Sequence, residues 1–234
     1  MEIIKVETYE ALSEKAAEIV TKQILHKPNS VLGLATGSTP IGLYEHLIEQ
    51  YKQGEISFQD VVTFNLDEYV GLDRDHDQSY YYFMQENLFK HVDMNDENIN
   101  IPNGVADNLI EECERYEAKL KSHGPVDLQI LGLGVNGHIG FNEPGTSFDS
   151  RTQIVQLDET TREANKRFFN SIDEVPTEAV TMGIESIMEA KEILLLAFGE
   201  SKKEALDRLF SKEITEDFPA SILNKHPRVT VIYG

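Results

Sequence analysis

The chain has 234 residues, 41 of them Asp or Glu against 21 Lys or Arg, for a formal net charge of −20. A polyanion of this kind repels nucleic-acid phosphates, whose binding needs Lys and Arg to displace counterions, and is repelled by an anionic membrane surface, so neither nucleic acid nor membrane is expected as a partner. The length suits one domain spanning 1–234, and 40% hydrophobic with 26% charged residues is a globular composition rather than that of a disordered acidic tail.

The chain opens with MEIIKVETYEALSEKAAEIV, an acidic amphipathic pattern without the basic region and apolar core of a secretory signal. A cytoplasmic location is therefore expected. A helix is predicted over 10–25, then a strand over 30–34 (SVLGL). Next comes the turn Ala35-Thr36-Gly37-Ser38-Thr39-Pro40 and a helical pattern over 40–52, with Thr39 as the expected N-cap and Pro40 as its first residue. A Gly-Ser-Thr turn at a helix start directs backbone N–H groups, hydroxyls and the positive dipole end to one point, which suits a phosphate; capping alone produces the same pattern. The turn is not followed by the Lys of a nucleotide-binding P-loop.

A second strand over 61–65 runs into Asn65-Leu66-Asp67-Glu68-Tyr69-Val70-Gly71-Leu72. Adjacent side chains at a strand end diverge, so one of the two acids at most is expected to face a pocket, as a candidate general base if burial raises its pKa. Helices are predicted over 79–90 and 109–122, the second carrying the single cysteine, Cys113. One cysteine excludes an intrachain disulfide and a multi-cysteine metal site.

The strand over 126–132 leads into Gly132-Leu133-Gly134-Val135-Asn136-Gly137, a literal G-x-G-x-x-G. A dinucleotide fingerprint must open a helix. The continuation here, His138-Ile139-Gly140-Phe141-Asn142-Glu143-Pro144-Gly145, is too rich in Gly and Pro for one. The stretch reads instead as a loop that gathers Asn136, His138 and Glu143 around a small substrate, with a carboxylate to fix the imidazole tautomer. Metal binding there lacks a third ligand. Residues 150–177 form a polar insertion with a helix over 159–169 and are a candidate lid. They carry Arg162 and Arg167, between which pattern alone does not choose. A strand over 192–197, a helix over 201–210 with Lys202 in its first turn, and a strand over 229–233 close the chain. Near-continuous apolar strands alternating with amphipathic helices predict an α/β fold: an open, mostly parallel, Rossmann-like sheet with helices on both faces.

The blocks ATGSTP, FNLDEYVGL, LGLGVNGHIGFNEPG and LLAFGESK, in this order and spacing, resemble the glucosamine-6-phosphate deaminase family over essentially the whole chain. The resemblance implies that Asp67 moves the C2 proton of the open-chain amino sugar to C1. It implies that His138, supported by Asn136 and Glu143, opens the pyranose ring, and that Gly37, Ser38, Thr39, Arg167 and Lys202 hold the phosphate. No metal or organic cofactor is implied, and the partner is a small phosphosugar; self-association is left open. Asn136 stands where several members carry Asp, so it can orient His138 but supplies no charge. Gln153 and Val155 stand where activator-responsive members have basic residues, and the chain is shorter at its carboxyl end than those members. Activation by N-acetylglucosamine 6-phosphate is therefore not expected. Two other readings stay open on the sequence: a 6-phosphogluconolactonase-like hydrolase, and a non-catalytic sugar-phosphate-binding protein.

Overall fold

The computed structural model describes residues 1–166 and 169–234, with the side chains of Thr160 and Ala164 outside the description. In chain order the strands are β1 (Glu2–Lys5), β2 (Val31–Leu34), β3 (Val62–Asn65), β4 (Asp67–Tyr69), β5 (Ile99–Asn100), β6 (Leu128–Gly132), β7 (Gln153–Gln156), β8 (Glu178–Thr181), β9 (Ile193–Ala197) and β10 (Val229–Tyr233). The helices are α1 (Tyr9–His26), α2 (Ile41–Lys52), α3 (Tyr80–Asn87), α4 (Leu109–Ser122), α5 (Glu159–Asn165), α6 (Ile184–Met188) and α7 (Lys203–Ser211).

Among the described residues, seven strands pair in parallel in the order β1-β10-β9-β6-β2-β3-β5. β2 and β9 are buried at every position. A strand can lose all of its surface only when both faces of the sheet are covered, which is why these segments read as apolar runs without alternation. The helices supply the cover with one-sided faces, as α1 does with Leu12, Ala16, Val20 and Ile24. No described helix is long and apolar enough to cross a membrane.

The strand order reverses at β2. The chain proceeds from β2 to β3 on one side, then returns to place β6 on the other. Ligand crevices of open parallel sheets form at such a switch point, beyond the carboxyl ends of the strands. At the opposite ends of the same two strands the buried Asp127 accepts hydrogen bonds from Val31 N–H (2.8 Å), Lys27 Nζ (2.6 Å) and Lys191 Nζ (2.8 Å). Burial opposes its ionisation, but these donors outweigh it and hold the carboxyl below the usual range.

The five strands expected from the sequence all occur; five others were not anticipated. β1 is an exposed edge strand with little apolar patterning. β4, β8 and β7 form a small antiparallel sheet in which Thr181 faces Asp67 on one side and Gln153 on the other. This sheet grows from the carboxyl end of β3: Leu66 N–H donates to Leu34 O at 3.2 Å, and Met182 N–H donates to Leu66 O at 2.7 Å. The candidate lid segment thus contains β7 of this sheet, then α5, then a 3-10 turn over Ile172–Glu174. Helix boundaries also differ from expectation, and the helix predicted over 201–210 begins at Lys203, after a 3-10 turn over Glu200–Lys202. The helix predicted over 79–90 ends at Asn87, and the one predicted over 159–169 is described only to Asn165.

Candidate active site

The turn after β2 is braced from outside. Tyr9, in the first turn of α1, places its hydroxyl 3.0 Å from the carbonyl oxygens of both Ser38 and Thr39 and accepts the Gly42 N–H at 2.9 Å. Gly37 adopts φ +90°, a conformation that costs an L residue side-chain strain. The expected cap is corrected here. α2 begins at Ile41 with Pro40 as the N-cap and no side-chain cap bond, so Thr39 does not cap the helix. The reason is that Tyr9 takes the N–H that a capping hydroxyl would accept. The residues 37–39 stay in the turn and line a cleft of about 270 Å³.

The floor of that cleft is the switch point. Asp67 lies in it, 6% exposed, and burial together with the neighbouring Glu68 charge pushes its carboxyl up to about 8. Glu68 turns the other way, as expected of adjacent acids on a strand. Its carboxylate accepts the N–H groups of Tyr69, Tyr80 and Tyr81, each at 2.9 Å, and so fastens β4 to the amino end of α3. Burial raises Glu68 to about 7 against the pull of those three donors. The fastening delivers Tyr80 to the cleft wall, where it packs parallel to Phe141 at 6.0 Å and lies 3.3 Å, hydroxyl to hydroxyl, from Tyr69.

The glycine-rich loop after β6 supplies the opposite wall. It folds back on itself, with Gly134 N–H donating to His138 O (2.9 Å) and Gly137 N–H to Gly134 O (3.0 Å). A Cβ at Gly134 would stand 2.5 Å from the His138 ring, so only glycine lets the imidazole lie against the backbone there. His138 lines the cleft, with Nδ1 3.4 Å from Glu143 Oε2, within ion-pair range but not aligned as a hydrogen bond. Burial would raise Glu143, yet His138, Thr161 and Asn136 together hold it down to about 2. The Asn136 amide bonds to the His138 backbone and to Glu143. Its Oδ1 accepts the His138 backbone N–H at 3.2 Å and its Nδ2 donates to Glu143 Oε2 at 2.7 Å. The amide orients the histidine through its backbone and through Glu143, and where a second carboxylate would repel Glu143, the amide donates to it.

Lys202, in the turn ahead of α7, reaches across to donate to Leu133 O at 2.7 Å and lines the cleft. Asp67, His138, the 37–39 turn and Lys202 therefore share one cavity, and Asn136 and Glu143 stand behind His138. Arg162 is used elsewhere: its Nη2 donates to Ile172 O (2.9 Å) and Val175 O (3.1 Å). Arg167 lies outside the described residues. Sequence reasoning missed Tyr9, Tyr80, Thr161 and Asn165, the last three of which line the cleft. No local pattern marks them, because they arrive from three segments: Tyr9 from α1, Tyr80 from α3, and Thr161 with Asn165 from α5.

The fold and cleft define an open, parallel α/β protein whose cleft sits at the switch point and pairs a buried acid with a carboxylate-backed histidine beside a Gly-Ser-Thr turn. Residues 5–232 match the model of the glucosamine-6-phosphate isomerases/6-phosphogluconolactonase family. The glucosamine-6-phosphate deaminase of Lysinibacillus sphaericus is 58% identical over 234 residues, covering 100% of this chain and 99% of the relative. That of Thermoanaerobacter pseudethanolicus is 57% identical over 232 residues, covering 99% and 92%. A solved structure of a monomeric glucosamine-6-phosphate deaminase superposes with a TM-score of 0.98 at 52% identity, covering 100% of this chain and 97% of the other. The 6-phosphogluconolactonase from Trypanosoma cruzi shares the fold, with a TM-score of 0.80 at 22% identity over 99% and 93%. This chain belongs to the glucosamine-6-phosphate isomerase/6-phosphogluconolactonase family.

Proposed function

We propose that this protein is a glucosamine-6-phosphate deaminase that converts glucosamine 6-phosphate and water to fructose 6-phosphate and ammonium, in the cytoplasmic breakdown of amino sugars. The observation that carries the reading is the presence of Asp67 and His138 in one cleft with the 37–39 turn and Lys202. A binding protein without chemistry has no use for a buried carboxyl held near neutrality beside a histidine backed by an ionised glutamate. The lactonase alternative is disfavoured by similarity: relatives 55–58% identical are named deaminases, whereas the lactonase structures share about a fifth of their residues.

The placement of the described residues supports the following course of reaction. The backbone N–H groups of the 37–39 turn and the Lys202 ammonium hold the phosphate, with Arg167 as a further cation. His138 takes the anomeric hydroxyl proton and returns it to the ring oxygen, breaking the bond between C1 and that oxygen. Glu143, ionised throughout the working range, stabilises the imidazolium formed in between. Asp67 then removes the C2 proton of the open-chain aldehyde to give an enolamine and delivers it to C1, while O1 gains the proton that the amine loses. This leaves a C2 imine, to which water adds as ammonia departs. The test is to incubate the purified protein with glucosamine 6-phosphate and measure ammonia and fructose 6-phosphate, with 6-phosphogluconolactone in parallel. Equimolar release of the two products is expected; release of neither overturns the reading.

Replacing the Lys202 ammonium should weaken phosphate binding. A hydrogen bond to a charged group is worth roughly 1.5–3 kcal/mol, so Lys202→Met is expected to raise KM roughly ten- to a hundredfold. A steady-state titration with glucosamine 6-phosphate checks this.

N-acetylglucosamine 6-phosphate is expected to leave the rate curve hyperbolic and unshifted. Gln153 and Val155 border a surface recess with Glu143 and Ser147, and no Lys or Arg lines it among the described residues. An anion there would meet no compensating charge. Rates measured across substrate concentrations with and without that ligand decide the matter.

A further inference from the structure

We infer that Thr161, on α5, is a positioning residue that ties the placement of that helix to the ring-opening pair His138 and Glu143. The inference rests on the deaminase reading and deepens it. Glu143 has two oxygens with separate duties: Oε2 faces His138 and accepts from Asn136, while Oε1 accepts the Thr161 hydroxyl at 2.5 Å. Asn136 belongs to the same loop as Glu143, so its bond constrains the carboxylate only within that loop. Thr161 is the partner that comes from outside it, eighteen residues further on and 7% exposed.

The helix that carries Thr161 is itself held at a second point. Arg162, the next residue, donates to the carbonyls of Ile172 and Val175 and so anchors α5 to the turn that leads into β8. Asn165, one helical turn beyond Thr161 and on the same face, lines the substrate cleft. α5 thus lines the cleft at both turns, and at Thr161 it also holds the carboxylate behind the histidine. A shift of the helix that draws Thr161 away would free Oε1 and let the carboxylate rotate off the imidazole. With the helix in place, Glu143 is fixed from both ends and His138 is presented in one orientation. Ring opening therefore depends on a hydroxyl that acts through the Glu143 carboxylate.

The experiment compares Thr161→Val, which keeps the shape and removes the donor, with Thr161→Ser, which keeps the donor. Thr161→Val is expected to lower kcat roughly tenfold, the effect of one charge-assisted hydrogen bond. KM should change little, as should the inhibition constant of the reduced, acyclic form of glucosamine 6-phosphate, which has no ring to open. Thr161→Ser should restore most of the lost turnover, and it controls for folding because it alters packing and keeps the bond. The proposal is overturned if the Val variant turns over as fast as the unaltered enzyme, if Ser fails to restore activity, or if KM and the acyclic inhibitor constant rise together while kcat holds. Absence of ammonia release from the unaltered enzyme would overturn the deaminase reading, and this one with it.

Discussion

Asp67→Asn is expected to lose at least about two orders of magnitude in kcat while KM stays close to that of the unaltered enzyme, since a positioned general base contributes roughly 10²–10⁴-fold. The carboxyl is isosteric with the amide, so the cleft keeps its shape and its phosphate contacts. The pH dependence carries a second signature. Burial and Glu68 push Asp67 up to about 8, and the base must be ionised to take the C2 proton, so kcat/KM should climb with pH and level off near that value. The same shift has a stability consequence of defined sign. Asp67 is raised above its unfolded value of about 3.9, so the folded state holds the proton more tightly, and stability is lost as pH rises from that value through about 8. The amide variant escapes this loss. It should melt above the unaltered protein by at least about 3 °C at pH 8, with the gap closing toward pH 4. Steady-state kinetics across pH and thermal melts at pH 4 and pH 8 check both signatures, and near-normal turnover refutes the role given to Asp67.

His138→Gln is expected to cost a further large factor, again roughly 10²–10⁴-fold in kcat. Glutamine can hydrogen-bond the anomeric hydroxyl, but it cannot carry the proton to the ring oxygen. Asp67 is untouched in this variant, so the defect should lie in delivering the open-chain sugar. Added imidazole is expected to recover part of the lost rate in the His138→Gln variant and none in Asp67→Asn. Equal recovery in both would separate the observed proximity of His138 and Glu143 from the step assigned to it.

Much of the site was readable before any contact was known. Gly-Ser-Thr at a strand-to-helix turn, a carboxylate ending one strand, and a histidine with a glutamate five residues on in a loop too glycine-rich for a helix are all short-range patterns. Their chemistry follows from residue type. What the pattern left undecided was orientation. Asn136 could be placed near His138 by sequence distance, yet whether its amide met the ring or the carboxylate depended on how the loop folded back through Gly134. Thr39 looked like a cap because helix starts favour hydroxyls, and a tyrosine thirty positions earlier took over the N–H at that helix start.

The sequence by itself determined the parallel sheet and the set of chemical groups at its carboxyl ends, because burial on both faces leaves uninterrupted apolar runs and each strand end delivers its next few residues to the same edge. Only the tertiary structure decided the small antiparallel sheet of β4, β8 and β7, whose strands of three and four residues are too short to show a period. It also decided that Asp67 enters the cleft while Glu68 leaves it to hold α3, and that Tyr80, Thr161 and Asn165 join the wall. Those contacts link segments from 12 residues apart, at Glu68 and Tyr80, to 114 apart, at Asp67 and Thr181. Such pairs are chosen by what packing brings within hydrogen-bond reach, a property of the folded chain that no local stretch of residues carries.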